Sequence, residues 1–215
     1  MLLETKYLAT LLNNPAMKAT SEAILDEVWK EQGSIFSLIP ERHFLSCTWD
    51  DLKKKTYAAL SYQWRQKWDS ILEKLLDYGV EAEYIWIDIF CLNQLDGNRM
   101  TTIRKSGDIY YYANEYYLME LGSLFRGWIL FELSSARKEP KIHSSITTKK
   151  TLKKLKNEFR EKGFEGCEFT KELDKDLVRG IIVEKYKSLD VFNDIVMKII
   201  DKYVETEWYL SIVKS

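Results

Sequence analysis

Histidine, proline and cysteine are scarce in this chain of 215 residues, with two, three and three of them respectively. With only His43 and His143 available, a catalytic triad built on histidine is poorly supported. The cysteines, Cys47, Cys91 and Cys167, lack metal-ligand spacing, and their odd number is typical of a reducing compartment rather than of secretion. The sequence therefore predicts buried free thiols and no bound metal.

Several functional motifs are missing as well. There is no phosphate-binding glycine loop, no G-x-G-x-x-G after the first predicted strand and no G-x-S-x-G elbow. The 32 basic and 33 acidic residues give a formal charge of −1, which favours neither nucleic acid nor an anionic membrane as a partner. No uncharged run reaches the length of a membrane span. We therefore predict a cytoplasmic protein that binds neither nucleic acid nor a membrane.

Two apolar runs predict buried parallel strands. Residues 57–62 (YAALSY) end in hydroxyl-bearing side chains, and residues 84–90 (YIWIDIF) contain Asp88 as their single charge. Runs this apolar are typical of strands that are covered on both faces of a sheet. Between them, apolar residues at helical spacing over residues 68–76 predict an amphipathic helix that ends at Gly79. Strand followed by helix is half of a βαβ unit.

The alternation of strands and helices continues along the chain. The patterns predict helices over residues 21–30, 100–113, 128–136, 149–159 and 189–203, strands over 116–119, 140–146 and 180–183, and an edge strand or loop over 43–49. This alternation favours an α/β fold with a parallel sheet and helices on both faces. The predicted domains are an N-terminal helical extension, residues 1–56, packed on a core formed by an α/β domain with C-terminal helices, residues 57–215.

Residues 126–133 (RGWILFEL) place one carboxylate in an otherwise apolar and aromatic run. Gly127 is a residue that permits unusual dihedral angles in a tight turn, and the following residues predict a short helix. On that helix Trp128 and Glu132 lie four residues apart and share a face. A buried carboxylate is costly to desolvate unless it is paired or functional. The structural alternative is a glutamate that reaches solvent or an arginine such as Arg126.

We expect Ser61, Asp88, Asn93 and Glu132 to converge where the loops gather, at the carboxyl ends of the parallel strands. Asp88 would either orient this site or cap a helix and bind backbone amides. A single carboxylate with hydroxyls and aromatic rings suits a reaction whose leaving group needs no proton and whose transition state is a cation. Cleavage of the bond between nicotinamide and ribose in NAD⁺ is such a reaction.

Three segments together resemble the three blocks of the HET (heterokaryon incompatibility) domain, a remote relative of the TIR (Toll/interleukin-1 receptor) domain. They are residues 57–64 (YAALSYQW), 84–94 (YIWIDIFCLNQ) and 126–133 (RGWILFEL). The middle segment is the most specific, since a Trp-Ile-Asp strand that runs into Cys-x-Asn-Gln is chemically unusual. The resemblance covers about residues 57–138 and implies a flavodoxin-like, TIR-like sheet.

The resemblance also implies a catalytic residue. The segment that begins at Trp128 is similar to the Trp-Cys-x-x-Glu-Leu helix of NAD-cleaving TIR domains, whose glutamate is catalytic, and Glu132 matches that glutamate. Ile129 stands where those domains have cysteine, and Arg65 stands where HET domains usually have glycine. Residues 93–98 match a loop that gates the site and makes assembly contacts. The implied nucleotide-binding residues are Ser61, Tyr62, Trp64, Asp88, Asn93 and Trp128, although core packing is an alternative role for Trp128.

The predicted function is cleavage of NAD⁺ in defence or cell-death signalling, by an NAD⁺ glycohydrolase or an ADP-ribosyl cyclase. NAD⁺ or a related nucleotide would be the substrate, no cofactor is expected, and the chain would form a homo-oligomer on activation. One alternative is a non-catalytic module that signals through self-association. Another is an enzyme similar to nucleoside deoxyribosyltransferases, which also use a lone carboxylate on a similar sheet.

Overall fold

The computed structural model describes residues 1–30, 38–92, 99–119, 126–142, 149–169 and 172–213. The strands of the described part form one sheet: β1 (Leu2–Glu4), β2 (Phe44–Leu45), β3 (Tyr57–Ser61), β4 (Tyr84–Trp86), β5 (Glu115–Leu118) and β6 (Lys141–Ile142). Their order across the sheet is β2-β1-β4-β3-β5-β6. Strands β4, β3, β5 and β6 are parallel, whereas β1 is antiparallel to both β2 and β4. The predicted α/β class is confirmed.

Strand β3 occupies the middle of the parallel part of the sheet. All five of its residues are buried, and Ala58 lies opposite Ile85 of β4 on one side and Glu115 of β5 on the other. The chain leaves β3 for β4 on one side and later returns to β5 on the other side. The order of strands therefore changes direction at β3, which makes its carboxyl end a topological switch point, where open α/β sheets bind ligands.

The described helices are α1 (Leu8–Leu12), α2 (Ser21–Lys30), α3 (Trp49–Leu52), α4 (Trp68–Tyr78), α5 (Asp88–Cys91), α6 (Arg99–Arg104), α7 (Ser106–Tyr112), α8 (Gly127–Ser135), α9 (Lys149–Lys162), α10 (Glu172–Tyr186) and α11 (Leu189–Val213). Helix α4 confirms its prediction, because its buried residues Trp68, Ile71, Leu72 and Leu75 form one stripe. It ends at Gly79, whose φ of 63° is in the left-handed region that glycine adopts readily.

The strand predicted over residues 84–90 is shorter than expected. Strand β4 ends at Trp86, and Asp88 begins the helical turn α5. The amide of Cys91 donates to the carbonyl of Ile87, and the amide of Ile89 donates to the carboxylate of Asp88. These local hydrogen bonds end the strand although the sequence stays apolar. The helix predicted over residues 100–113 is likewise divided, into α6 and α7.

The strand predicted over residues 180–183 is wrong, because these residues lie inside helix α10. Ile181 and Ile182 are buried, whereas Val183 is exposed and Gly180 has open space where a side chain would be. A short apolar run fits a strand and a helix equally well by periodicity. Packing of one helical face decides the outcome here.

The first 56 residues were predicted to form a helical extension, and they contribute strands as well. Strand β1 hydrogen-bonds to β4 and carries β2 at the edge of the sheet, and Leu2 and Leu3 are fully buried. The amino-terminal segment therefore supplies part of the sheet itself.

The chain divides into two compact units. The first comprises Met1–Met119 and Ala136–His143 and holds the sheet, and the second comprises Glu120–Ser135 and Ser144–Ser215. In the second unit, helix α8 contacts α10 and α11, and α9 contacts α11. None of the helices in the described part of the chain is long and apolar enough to cross a membrane.

Candidate functional site

Three of the predicted site residues meet at the carboxyl ends of β3 and β4. The hydroxyl of Tyr62 donates to Oδ1 of Asp88 at 2.5 Å, and Nε1 of Trp64 donates to Oδ2 of Asp88 at 3.0 Å. The amide of Ile89 donates to Oδ1 at 2.6 Å. We call Tyr62, Trp64 and Asp88 the strand-end cluster. Its members come together because β3 and β4 are parallel neighbours, so that the residues that follow them lie at the same edge of the sheet.

A second layer of hydrogen bonds supports Tyr62 from the amino-terminal segment. Nε1 of Trp68 donates to Oγ of Ser21 at 3.0 Å, and Oγ of Ser21 donates to the hydroxyl of Tyr62 at 3.2 Å. Both Ser21 and Trp68 are fully buried. The hydrogen bonds run in one direction, from Trp68 to Ser21, from Ser21 to Tyr62 and from Tyr62 to Asp88. Asp88 is the acceptor in every hydrogen bond that it makes within the cluster. This fits an ionised carboxylate, since a carboxylate can only accept.

No pattern in the sequence placed Ser21 near the site. A serine at the beginning of a helix is ordinarily interpreted as a capping residue. Here the neighbouring Thr20 is the cap, because its Oγ1 accepts from the amide of Ala23. Ser21 is therefore left to bind Tyr62, which lies 41 positions further along the chain.

Ser61, another predicted site residue, lies at the end of β3 and is buried. Its Oγ lies 2.9 Å from the hydroxyl of Tyr116 on the neighbouring strand β5. The hydroxyl of Tyr110 in turn donates to the carbonyl of Leu60. Tyr116 and Tyr110 thus hold the end of β3 on the side of β5. The strand-end cluster lies on the side of β4.

Burial of Asp88 disfavours the ionised form of its carboxyl group. Desolvation raises the pKa of Asp88, while hydrogen bonds from Tyr62, Trp64 and the amide of Ile89 lower it, and the net direction is upward. The residue as a whole is partly exposed, whereas its carboxyl group is buried. A carboxylate held ionised where burial opposes ionisation is destabilising, and such groups are enriched at functional sites.

This cost predicts that Asp88→Asn will be at least as stable as the parent at neutral pH. Because the folded pKa of Asp88 lies above its unfolded value, the carboxyl contributes stability below the ordinary aspartate pKa and loses it as the pH rises through the folded pKa. Asparagine is uncharged like the protonated carboxyl group, and it keeps one acceptor oxygen and has two N–H donors in place of the other oxygen. Urea unfolding at pH 7 and pH 4 should therefore show that the difference in free energy of unfolding between the variant and the parent is smaller at pH 4.

The matched control is Asp77→Asn, since Asp77 is exposed on α4. It should change the free energy of unfolding by no more than the few tenths of a kcal/mol typical of a surface site. If Asp88→Asn instead lost more than about 1 kcal/mol at pH 7, the carboxylate would be a stabilising hydrogen-bond acceptor, and the argument from a costly charge would fail.

Gly127 begins the helix that contains Glu132, and its role differs from the one expected. Its φ is not positive, so no unusual dihedral angle requires glycine here. The ring of Phe169 lies against it instead, and a Cβ at this position would be 2.0 Å from Cζ of Phe169. The amide of Gly127 donates to the carbonyl of Glu168. Glycine is needed for this close approach, which anchors the beginning of α8.

Trp128 and Glu132 are both half-buried on α8, whereas Leu130 and Phe131 are buried. The indole of Trp128 contacts the ring of Phe131 edge to face, with centroids 6.5 Å apart. Trp128 and Glu132 share a helical face, as predicted, and belong to the second unit. Their convergence with Ser61 and Asp88 stays a prediction. Asn93, with the loop at residues 93–98, lies outside the described residues.

The cysteines offer no activated nucleophile. Burial raises the pKa of Cys91 to about 11 and that of Cys167 to about 12, so both thiols are protonated at neutral pH. All three cysteines are free, and Cys47 is half-buried rather than buried as predicted. Among the residues that the structure describes, no group of three or more histidine, cysteine, aspartate or glutamate side chains could hold a metal ion.

Comparisons of the chain with protein-family models, with curated proteins and with solved structures found no match. The resemblance to HET and TIR domains therefore stays a prediction from the three sequence segments.

Proposed function

We propose that this chain is a TIR-like NAD⁺ nucleosidase that cleaves the bond between nicotinamide and ribose. The observation that carries the proposal is the strand-end cluster, in which the carboxyl group of Asp88 and two aromatic side chains lie beside the switch point at β3. If the parallel strands are numbered along the chain, their order is 2-1-3-4. This is the beginning of the flavodoxin-like order, whose members bind nucleotides at this position.

The proposed chemistry gives Glu132 the central role. The bond between C1′ of the ribose and the nicotinamide nitrogen breaks, and its electron pair leaves with neutral nicotinamide. Glu132 binds the ribose hydroxyls and stabilises the oxocarbenium-like sugar as its positive charge develops. Water then adds to C1′ and loses a proton, which yields ADP-ribose, or a hydroxyl of the same molecule adds and yields a cyclic product.

Incubation of the purified full chain with NAD⁺ tests the proposal directly. We expect nicotinamide to appear in equal amounts with ADP-ribose or its cyclic isomer, measured by chromatography. A folded chain that released no nicotinamide at any protein concentration would contradict the enzyme assignment. The remaining candidate would then be a module that acts by association alone.

Exposed apolar side chains favour this second candidate, or an enzyme that is active only when assembled. On α10, Leu173 is 84% exposed and Val183 is 42% exposed, and Val191 on α11 is 47% exposed. We propose self-association of the chain through α10, with Leu173, which is the most exposed of these side chains, at the contact.

If assembly gates activity, specific activity should rise with protein concentration while the sedimenting mass increases. Leu173→Glu should shift both curves to higher protein concentration, because it replaces the most exposed apolar side chain of α10 with a charged one. Leu76→Glu is the matched control, since Leu76 is 38% exposed on α4 of the first unit. Activity independent of dilution, with a constant monomer mass, would exclude assembly gating.

A further inference from the structure

Positive charge is concentrated on helix α9. Its 14 residues include six lysines and one arginine but only two glutamates, which gives the helix a net charge of +5. Because the whole chain has a formal charge of −1, all its other residues together carry −6. We predicted no membrane partner from the total charge alone, and the total does not show this uneven distribution. Salt screens exposed charges beyond about 8 to 10 Å, so a partner responds to the charge of the nearby surface rather than to the total.

The charged residues of α9 lie on its exposed side, whereas Leu152 and Phe159 are buried. The exposed residues of the helix are Lys153, Lys154, Asn157, Arg160, Glu161 and Lys162. We call Lys153, Lys154, Arg160 and Lys162 the basic face. No exposed residue in the described part of α9 is apolar or aromatic. The basic face is therefore suited to binding by charge, and not to insertion into a bilayer or to stacking on unpaired bases.

Acidic neighbours neutralise only part of this charge. Lys156 forms an ion pair with Asp201 on α11. Nζ of Lys154 lies 3.6 Å from Oε1 of Glu158, but Lys154 is 75% exposed, and exposed pairs of this kind are weak and screened by salt. The other acidic residue of α9 is Glu161. The four members of the basic face outnumber these two glutamates, so the face keeps a net positive charge.

The basic face belongs to a helix that packs along its length on a neighbour. Lys156 of α9 pairs with Asp201 of α11, and the amide of Phe164, just after α9, donates to Oδ1 of Asn193, so the two helices are antiparallel. Such a pair is a broad surface, whereas the major groove of a duplex is only about 12 Å wide. Most members of the basic face are lysines, which act as point charges and lack the planar fork that suits arginine to bidentate contacts. A broad array of point charges favours a flat partner whose anionic groups can move to meet it.

We propose that the basic face of α9 docks the chain on an anionic phospholipid surface, by charge and without insertion. Lysine and arginine side chains close to such a surface are each attracted to its negative potential, and lipid headgroups move laterally, so no exact spacing of the lysines is required. This proposal goes beyond the cleavage of NAD⁺ and does not depend on it, because every residue that it uses lies on α9 in the second unit.

Co-sedimentation of the full chain with vesicles tests the proposal. We expect binding to vesicles of equimolar phosphatidylcholine and phosphatidylserine, no binding to phosphatidylcholine alone, and loss of binding as the salt concentration rises. The double variant Lys153→Gln with Lys154→Gln should bind the mixed vesicles about 25-fold more weakly, since each basic residue near the surface contributes about fivefold. Lys153→Arg with Lys154→Arg keeps the charge and should bind like the parent. Both side chains are exposed, so all these variants should fold, which urea unfolding checks.

The matched control is Lys18→Gln with Lys67→Gln, because both lysines are exposed in the first unit and the net charge changes by the same amount. It should bind the mixed vesicles like the parent. The proposal is overturned by equal binding to both kinds of vesicle, by no binding to the mixed vesicles, by unchanged binding of the Lys153→Gln and Lys154→Gln variant, or by an equal loss in the control.

Two further measurements on the same samples identify a different partner. A short duplex DNA that displaces the parent from the mixed vesicles, and that the Lys153→Gln and Lys154→Gln variant no longer binds, would make the basic face a nucleic-acid surface. A sedimenting mass without vesicles that is lower for this variant than for the parent would make it a contact between copies of the chain. Either result overturns docking on a membrane.

Discussion

Replacement of Glu132 by glutamine is expected to lower the rate of NAD⁺ cleavage by roughly a hundredfold, because one preorganised electrostatic contact contributes about 3 kcal/mol to the transition state. Glutamine keeps the shape of the side chain and removes the charge that would face the developing cation in the proposed reaction. Glu132 is half-buried on α8, and the variant, which has nearly the same shape, should still fold, which urea unfolding checks. The loss should fall on kcat more than on KM, because the charge acts mainly on the transition state.

The matched control for this experiment is Glu184→Gln, since Glu184 is exposed on α10 of the same unit. It should retain the parental rate. A stable Glu132→Gln variant that cleaves NAD⁺ at the parental rate would remove Glu132 from the mechanism. Loss of activity together with a lowered urea midpoint would instead give Glu132 a structural role.

The local patterns of the sequence predicted most of the secondary structure. Strand β3 and helices α2 and α4 lie where periodicity and the stop signal at Gly79 placed them. These elements are decided by local spacing and by one buried face. The strand expected at residues 180–183 failed because its apolar residues pack along one face of a longer helix, which four residues cannot reveal.

The strand-end cluster was only partly accessible from the sequence. Strand alternation placed Tyr62 and Asp88 near the ends of parallel strands, whereas Trp64 was named only through the resemblance to HET domains. Ser21 does not, because its contact with Tyr62 depends on where the amino-terminal segment packs, and long-range packing leaves no periodic signal. The direction of every donor towards Asp88 is likewise a property of the folded chain.

The largest effect on stability is expected from Trp68→Ala, which should lower the free energy of unfolding by about 3 to 5 kcal/mol. The indole is fully buried, and its centroid lies 4.7 Å from that of Phe90 as well as from that of Tyr62. Removing it leaves a cavity and deprives Ser21 of a hydrogen-bond donor. The backbone amide of Trp68 also donates to the carbonyl of Ala19, so the cavity adjoins the point where the amino-terminal segment is attached.

Urea unfolding of three variants separates these contributions. Trp68→Phe keeps an aromatic ring and loses the indole N–H, so it should lose less stability than Trp68→Ala. Its own loss should be roughly 1 to 3 kcal/mol, from one unmade buried hydrogen bond and some packing. Trp49→Ala is the control, because Trp49 is half-buried beneath Lys105, whose Nζ lies 5.3 Å from the ring centroid. If Trp68→Ala lost no more stability than Trp49→Ala, the link through Ser21 to Tyr62 would lie outside the stable core. The orientation of Asp88 would then have to depend on Trp64 and the amide of Ile89 alone.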